Sequence, residues 1–498
     1  MHHKDIQRIV KKQLKKKCPN WKRMSRKEKK KLAKEVTMAA LEEYDFSDEV
    51  EAPIEELVGV EDQVDTDGII SLKEMAKLID NFYLNTFFGA EKPKKLGVNL
   101  TDPLLKYIDD ILDDSILGEL LWYEGFTPGK RDFLPTQFFR AELLKAIKYS
   151  EISYRKFCAK EYMGMERKEN REFLGLPLHN KQMIDHTQLS QFRSSLSFAQ
   201  VSNLLVYILH HVSRSGILDN CLIHGVDSTE LANDNYHPLF SITVGEKKIR
   251  VYTDLDCDCG TRRNKRDKSI FFVGYRMHTL TAIDVKTGHS FPLASLIASG
   301  NHHDSLFLKP LIQLAQAMGI EMKLVTADEA YYDNDGSLFE ESKVNLITPP
   351  STNVKLPENV DLETLTVTCN DECEIPMRHL GCFDNHHEFK CGASIGECDR
   401  VESCPQYRLI PMDNGYFQGV LPKSELAEKA IDMRKNAERP FNLLKHREGL
   451  EKVRVRSKKA LIAKCAFATI VNLLIEMERR CNNRDSDNPQ LNFFELAS

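Results

Sequence analysis

The sequence lacks the features that would place it in a membrane or a secretory pathway. No apolar run reaches the about 18 uninterrupted residues that mark a membrane helix, and residues 1–4 open no signal-peptide core. The most apolar late segment, 461–477, contains Lys464 and Asn472 and therefore predicts a buried amphipathic helix. Thirteen cysteines, an odd number scattered over 498 residues, are typical of a reducing compartment. Together these features predict a cytoplasmic protein.

The sequence also lacks the large positive net charge of many nucleic-acid-binding proteins, but its charge is unevenly distributed. The net charge is −5, whereas residues 1–35 contain fifteen lysines and arginines against three acidic residues. This basic arm is either a solvated helical or disordered tail or a segment that contacts DNA phosphates. Residues 42–67 are acidic and predict a linker or a partner for the arm. At 42% apolar and 29% charged residues, the chain is long enough for two to four domains.

Residues 68–215 predict a mostly helical region, and we interpret it as a DNA-binding region. Short helices separated by turns, with exposed arginine and glutamine as in segment 186–193, fit a helix-turn-helix reader or an ordinary helical domain. At its start, Ser71 and Glu74 have the spacing of a helix-capping box. The alternative is a calcium loop over 63–74, but its first ligand position holds Gln63 instead of aspartate, so the capping box is favoured.

In residues 216–350 the sequence pattern changes to strand-like runs, which later alternate with predicted helices. This order predicts an α/β fold with a mixed sheet covered by helices. Two of the strands, 221–229 and 321–326, lead into Asp227 and Asp328. Ligand and metal sites of α/β sheets gather at such strand ends. The further predicted strands are 248–253, 270–284, 290–299 and 345–348, with a helix at 305–318.

A third acidic residue, Glu438, lies in a predicted helix at 431–445. On a regular helix Arg434, Glu438 and Lys445 would share one narrow stripe. Phe441 and Leu444 lie off that stripe and could anchor the helix to a core. Pro440 could kink the helix or start a new turn. Taken alone, the stripe also fits a solvated face with local ion pairs.

Asp227, Asp328 and Glu438 together suggest a metal site. Carboxylate oxygens are the ligands that Mg²⁺ and Mn²⁺ prefer, and two such ions can clamp an in-line displacement at phosphorus. Arg434 and Lys445 would then contact DNA phosphates beside the metals. Each aspartate taken singly also fits a turn or cap.

The chain resembles the DDE-type insertion-sequence transposases. Arg434-x3-Glu438-x6-Lys445 is similar to their Y-x2-R-x3-E-x6-K signature, with Ile431 in place of the tyrosine. The stretches 226–229 and 326–333 resemble their first- and second-aspartate segments, and 274–278 and 301–304 resemble two stretches between them.

The resemblance covers about residues 136–475. It implies an RNase H-like mixed sheet flanked by helices and a catalytic triad of Asp227, Asp328 and Glu438. It also implies Mg²⁺ or Mn²⁺ as the cofactor and metal-dependent cutting and joining of double-stranded DNA at element ends and target. A homodimer on paired ends and a nucleoid-associated location would follow.

A cysteine-rich insertion at 351–425 separates the catalytic core into a first part, 216–350, and C-terminal helices, 426–498. Its thiols could close a tetrahedral zinc site although paired C-x2-C knuckles are missing. Free buried thiols are the alternative. The candidate zinc ligands are Cys369, Cys373, Cys391, Cys398 and Cys404.

Three other functions fit parts of the pattern. A nuclease or integrase could use the same fold, and a catalytically silent DNA-binding protein could retain the carboxylates. A two-carboxylate glycosidase is more distant, because the cations around Glu438 favour phosphates over neutral sugars.

Overall fold

The structure is a computed structural model, and it describes the greater part of the chain. The described residues are 3–21, 24–43, 64–86, 99–122, 133–177, 182–232, 237–244, 247–263, 269–331, 333, 337–349, 359–361, 366–369, 375–383, 386–393, 406–412, 417, 420–421, 424–448, 450, 455 and 457–483. Three of the predicted zinc ligands, Cys373, Cys398 and Cys404, lie outside these residues, as does most of the acidic segment 42–67.

A mixed six-stranded sheet lies at the centre of the fold. The longest strand, β5, pairs antiparallel with β1, with β4 along its first part and with β6 along its second. Strands β1, β7 and β8 then follow as parallel neighbours. The predicted mixed α/β architecture is therefore confirmed. The strands of the main part are β1 Ile223–Ala232, β2 Pro238–Val244, β3 Lys247–Tyr252, β4 Asp258–Arg263, β5 Ser269–Ile283, β6 Ser290–Ser299, β7 Leu324–Ala327 and β8 Asn345–Ile347.

Sixteen α-helices can be assigned in the described residues. They are α1 His3–Lys17, α2 Arg26–Glu43, α3 Leu72–Thr86, α4 Pro103–Ile111, α5 Asp114–Leu120, α6 Pro135–Lys148, α7 Tyr154–Phe157, α8 Lys160–Met163, α9 Lys168–Phe173, α10 His186–Ser195, α11 Phe198–Arg214, α12 Leu308–Ala317, α13 Leu338–Ser342, α14 Glu425–Arg434, α15 Arg439–Glu448 and α16 Lys458–Asn483. The capping box predicted before α3 is confirmed, because the Ser71 amide donates to Glu74 and the Glu74 amide donates to the Ser71 hydroxyl.

The two strands predicted to lead into aspartates have different ends. β7 stops at Ala327, directly before Asp328, as predicted. β1 does not end near Asp227 but continues to Ala232. The reason is that β5 keeps pairing with it, from Asp227↔Thr279 to Ala232↔Gly274, so the backbone groups beyond Asp227 stay hydrogen-bonded.

The helical region shares a core with the sheet. Phe139 of α6 and Phe192 of α10 both contact Phe467 of α16, with ring centroids 5.5 and 6.2 Å apart. Helix α11 is buried along most of its length, so it is not free to lie in a DNA groove.

Arg193 of α10 corrects the prediction of an exposed arginine in segment 186–193. Its side chain is buried, pairs with Glu142 and lies over the Tyr154 ring, 4.3 Å from the centroid. This arrangement could not be predicted from the local sequence, because Glu142 is 51 positions away from Arg193.

The basic N-terminal helices are part of the fold and not a detached arm. Val10, Leu14 and Val36 of α1 and α2 share a small core with Ile249 and Val251 of β3. Two ion pairs join α1 to the start of β4 and the residues before it: Lys11 Nζ lies 2.9 Å from Asp258 Oδ2, and Lys15 Nζ lies 2.8 Å from Asp256 Oδ1. Many other cations remain on the surface, namely Lys12, Lys16, Lys17, Arg26, Lys27, Lys30, Lys31 and Lys34.

The last helix, α16, is the buried apolar helix that segment 461–477 predicted. By length and composition alone, Lys458–Cys481 could cross a membrane, but 78% of its most apolar window is buried inside the structure. Ala463, Phe467 and Leu474 lie in the core that the sheet and the helical region share. Packing within the fold therefore accounts for the hydrophobicity of this helix.

A separate three-stranded sheet lies in the region of the predicted insertion. Its strands are β9 Met377–Phe383, β10 His386–Cys391 and β11 Tyr407–Pro411, all antiparallel, with β10 in the middle. A small apolar cluster supports it, consisting of Val367, Met377, Phe389, Ile410 and Phe417.

Candidate functional site

Asp227 and Asp328 lie at the same level of neighbouring parallel strands. The last paired residues of β1 and β7 are Val226↔Ala327, and each aspartate follows its strand's member of that pair directly. Paired strands are about 4.8 Å apart, and equal offsets from a registered pair place two side chains on one face of a sheet. The sheet therefore brings these two carboxylates together, although 101 positions (328 − 227) separate them in the sequence.

The segment that carries Glu438 packs directly on β1. A Cβ atom placed on Gly225 would lie only 2.6 Å from the Cβ of Ala437, so this close approach requires glycine in the strand. Ala437 belongs to a 3₁₀ segment, Lys435–Glu438, and precedes Glu438. Phe441 and Leu444 of α15 are buried in the core, as predicted, and hold the following helix in place.

The segment 431–445 is helical throughout, as predicted, but it is not one regular α-helix. The chain forms α14 up to Arg434, then the 3₁₀ segment, then α15 from Arg439. Pro440 is the second residue of α15, where the missing amide proton costs no helical hydrogen bond. Because the 100° step does not hold across the 3₁₀ segment, Arg434, Glu438 and Lys445 do not form one regular stripe.

Electrostatics links Asp227 to the two other carboxylates. Burial, followed by the charges of Asp328 and Glu438, raises the pKa of Asp227 to about 7, while Arg434 opposes that rise. Burial also raises the pKa of Asp328, with a contribution from Asp304. Arg434 acts on both aspartates, whereas Lys445 is not among their principal charged neighbours.

A fourth carboxylate, Asp304, is held by its own partners. Its two oxygens accept from Arg276 at 3.0 and 3.1 Å, and one of them also accepts from the Ser228 hydroxyl at 3.1 Å. Ser228 follows Asp227 in β1, so this network ties the aspartate's strand to the loop after β6. Sequence reasoning assigned no role to Arg276 or Asp304, although both lie in the two stretches that resemble the transposases.

A buried histidine–tyrosine pair fixes the segment after Asp328. His278 Nδ1 lies 2.6 Å from the Tyr331 hydroxyl, and the ring of His278 stacks on Phe307. Burial lowers the pKa of His278 to about 3, so its imidazole is neutral. Tyr331 also donates its amide to the Asp328 carbonyl at 3.1 Å. Sequence reasoning missed this pair because a buried histidine has no distinctive local pattern.

The site has more negative than positive charge. Arg276 pairs with Asp304 and also acts on Asp328, and Arg434 acts on Asp227 and Asp328. Over the part of the chain that the structure describes, none of these three carboxylates has an ion-pair partner within 4 Å.

A second group of polar side chains lies on β9 and β10. His379 Nε2 and Cys382 Sγ each lie 3.1 Å from His387 Nδ1, and the three ligand atoms lie within 4.8 Å of one another. This group could hold a metal ion such as zinc. Two of the predicted zinc ligands, Cys369 and Cys391, are described and do not belong to it. The sequence shows these two histidines and Cys382 within the insertion, but the spacing of the cysteines directed the zinc prediction to other thiols.

No family model matches the chain, and no curated protein matches it. The functional argument therefore depends on the geometry and chemistry of the sites themselves.

Proposed function

We propose that this chain is a DDE-type transposase that cuts and joins double-stranded DNA by metal-dependent phosphoryl transfer. The observation that carries the proposal is the approach of three carboxylates from distant parts of the chain. Asp227 and Asp328 follow a registered pair of parallel strands, and the charge of Glu438 acts on Asp227. Burial and these two charges disfavour the ionised form of Asp227 despite the opposing charge of Arg434, and a bound cation would favour it.

The ligand chemistry suits Mg²⁺ or Mn²⁺, although the oxygens of the three carboxylates do not all lie within 4.8 Å of one another. Asp227, Asp328 and Glu438 offer hard oxygen ligands from three separate elements, which suits cations that prefer carboxylate and water. When bound, two such ions would activate the attacking water or 3′-hydroxyl and stabilise the leaving oxygen.

The remaining residues of the site position the carboxylates and the DNA. The Ser228–Asp304–Arg276 network fixes β1 beside Asp227, and the His278–Tyr331 pair fixes the backbone that follows Asp328. Arg434, whose charge acts on both aspartates, is suited to hold a DNA phosphate near them. For Lys445 the same role rests on the family resemblance alone.

An RNase H-like catalytic domain is part of the proposal. It is supported by a sheet in which β6, β5 and β1 are antiparallel and β1, β7 and β8 are parallel, with the acidic residues where the parallel pairing ends. The order of the carboxylates along the chain agrees with the resemblance to DDE transposases.

The test is cleavage of labelled DNA that carries the sequences flanking this chain's own coding region, with Mg²⁺, Mn²⁺ or chelator. We expect strand cleavage by the wild-type protein that needs the metal. Asp227→Asn and Asp328→Asn should abolish cleavage but still bind DNA, whereas the exposed neighbour Glu329→Gln should cleave normally. Metal-independent cleavage, or full activity of either aspartate variant, would contradict the proposal. Binding without cleavage in either metal would indicate a silent DNA-binding protein instead.

A further inference from the structure

A β-bulge in the hairpin of β9 and β10 places His379 and Cys382 on one face. Residues three apart in a regular strand face opposite sides. Here His379 pairs with Phe389 and Gly381 pairs with Glu388, so Leu380 is an extra residue in β9. The bulge shifts by one residue the alternation of side chains between the two faces of β9. Gly381 takes a φ of 148°, which residues other than glycine rarely adopt. The irregularity thus brings together two side chains that an ordinary strand would separate.

His387 completes the group from the opposite strand. It pairs directly with Cys382 across the hairpin and is fully buried. Aromatic rings enclose the group: His379 lies 5.0 Å from Phe389, and His387 lies 5.6 Å from Phe417, between ring centroids. Two imidazoles and a thiol in an apolar pocket are well suited to bind a metal that accepts nitrogen and sulfur ligands.

The distances match a tetrahedral zinc site. Zinc–nitrogen and zinc–sulfur bonds of about 2.05 and 2.3 Å imply ligand separations of about 3.3 Å between nitrogens and about 3.6 Å between nitrogen and sulfur. The observed separations from His387 Nδ1 are 3.1 Å to His379 Nε2 and 3.1 Å to Cys382 Sγ. A shift of a few tenths of an ångström would bring these two separations to the values expected for zinc, and the third pair of ligand atoms lies within 4.8 Å.

We propose that His379, Cys382 and His387 bind one zinc ion that fastens the β9–β10 hairpin. The apolar cluster beneath this sheet contains five buried side chains in the described residues, and small cores commonly need a metal or disulfide for stability. The group contains none of the three proposed catalytic carboxylates, so the ion would hold the hairpin without taking part in DNA cleavage. The inference is thus independent of the proposed transposase activity. The three protein ligands of the ion leave the fourth tetrahedral position for water or another ligand.

The test is the metal content of the purified full-length chain, measured by plasma mass spectrometry. We expect close to one zinc per chain in the wild-type protein and a loss of at least about tenfold in His379→Gln and Cys382→Ser. Two controls should keep the zinc: His386→Gln, beside His387 but on the opposite face, and Cys391→Ser, at the far end of β10. Circular dichroism would show that the variants remain folded.

Cobalt replacement provides a spectroscopic readout that the wild-type protein gives without any variant. Wild-type protein loaded with Co²⁺ should show tetrahedral d–d bands and a thiolate charge-transfer band, and Cys382→Ser should lose the charge-transfer band while Cys391→Ser keeps it. A wild-type chain without zinc and without a cobalt signal would overturn the proposal. Copper in the isolated protein, with an intense blue absorption band, would also contradict the zinc proposal. Retention of zinc by Cys382→Ser would contradict it as well.

Discussion

At the scale of single residues, Asp227 is the most perturbed carboxylate of the candidate site. It accepts a hydrogen bond from the Ser228 amide at 2.7 Å, which favours its ionised form. Burial and the charges of Asp328 and Glu438 outweigh that bond and raise its pKa to about 7. A metal-free protein therefore carries an unfavourable carboxylate at neutral pH, and a bound cation would relieve it.

This perturbation predicts how the stability of the metal-free protein depends on pH. A carboxylate with a raised folded-state pKa stabilises the protein below its ordinary pKa of 3.8, and that stability is lost as the pH rises through about 7. In chelator, Asp227→Asn should therefore melt at a higher temperature than wild type at about pH 8, and the difference should shrink toward about pH 4.

Thermal melts across that pH range measure the effect. The buried histidines protonate equally in both proteins and cancel in the comparison. The exposed neighbour provides the control, because Glu329→Gln should leave the melting temperature unchanged relative to wild type at every pH. An Asp227→Asn protein that is less stable than wild type at about pH 8 would contradict a raised pKa of Asp227 in the folded protein.

The sequence predicted the aspartates but not the groups around them. Asp227 and Asp328 stand out because apolar strand-like runs lead into them. The contact between Arg276 and Asp304 could not be predicted from the sequence, because it joins a strand to a residue 28 positions further on. Burial and mutual repulsion depend on such long-range contacts, so pKa shifts cannot be read from local pattern.

At the scale of elements, the approach of the Glu438 segment to β1 depends on one glycine. Gly225 leaves the space that the Ala437 methyl group occupies. The sequence indicated that Pro440 could interrupt the helix, but the 3₁₀ segment before it and its contact with β1 were not predictable from spacing. Such a contact requires the two elements to be placed by the whole fold.

The contact between Gly225 and Ala437 can be tested by exchanging the sizes of the two side chains. Gly225→Ala should destabilise the protein by about 1–3 kcal/mol through overpacking, and it should depress DNA cleavage because it displaces the segment that carries Glu438. Adding Ala437→Gly removes the methyl group that clashes at 2.6 Å and should restore part of both losses. Urea unfolding and single-turnover cleavage measure the two effects.

Gly118 is the matched control, because a Cβ placed there meets nothing within 4 Å. Gly118→Ala in helix α5 should be neutral or stabilising by up to about 1 kcal/mol. If the double variant with Ala437→Gly were no better than Gly225→Ala alone, the methyl contact would not explain the requirement for glycine.

At the scale of the whole molecule, the helical region, the sheet and α16 form one large core. The alternation of strands and helices predicted the class of fold, since it is set by local periodicity. It did not predict that α10 would pack on α16, because residues such as Phe192 and Phe467 are far apart in the chain. The same limit explains why residues 1–35 looked like an arm.

The placement of α1 and α2 changes how their role in DNA binding should be tested. Deleting residues 1–35 would remove Val10 and Leu14 from a shared core, so lost binding could reflect lost structure. Neutralising exposed cations of α2 avoids that problem. If the proposed DNA binding is correct, a variant with four such lysines changed to glutamine should bind DNA more weakly and with a smaller salt dependence. The lysines are Lys27, Lys30, Lys31 and Lys34.

The measurement is the slope of log Kd against log salt concentration for a DNA duplex. Each phosphate contact that is lost should reduce the slope by about 0.9. A control variant neutralises four exposed lysines elsewhere and should keep the wild-type slope, namely Lys73, Lys77, Lys168 and Lys323. Equal slopes in both variants and the wild type would remove α2 from the DNA-binding surface.

The central claim is that Glu438 acts with Asp227 and Asp328, although 110 positions (438 − 328) lie between it and the second aspartate. Its most direct test is single-turnover cleavage of pre-bound DNA in Mg²⁺ by Glu438→Gln and by Asp432→Asn, an exposed acidic residue of the preceding helix. We predict that Glu438→Gln loses at least about three orders of magnitude in rate, as expected for a group required in the transition state. Its affinity for DNA and its melting temperature should stay near wild type, and Asp432→Asn should cleave normally. Wild-type cleavage by Glu438→Gln would contradict the account.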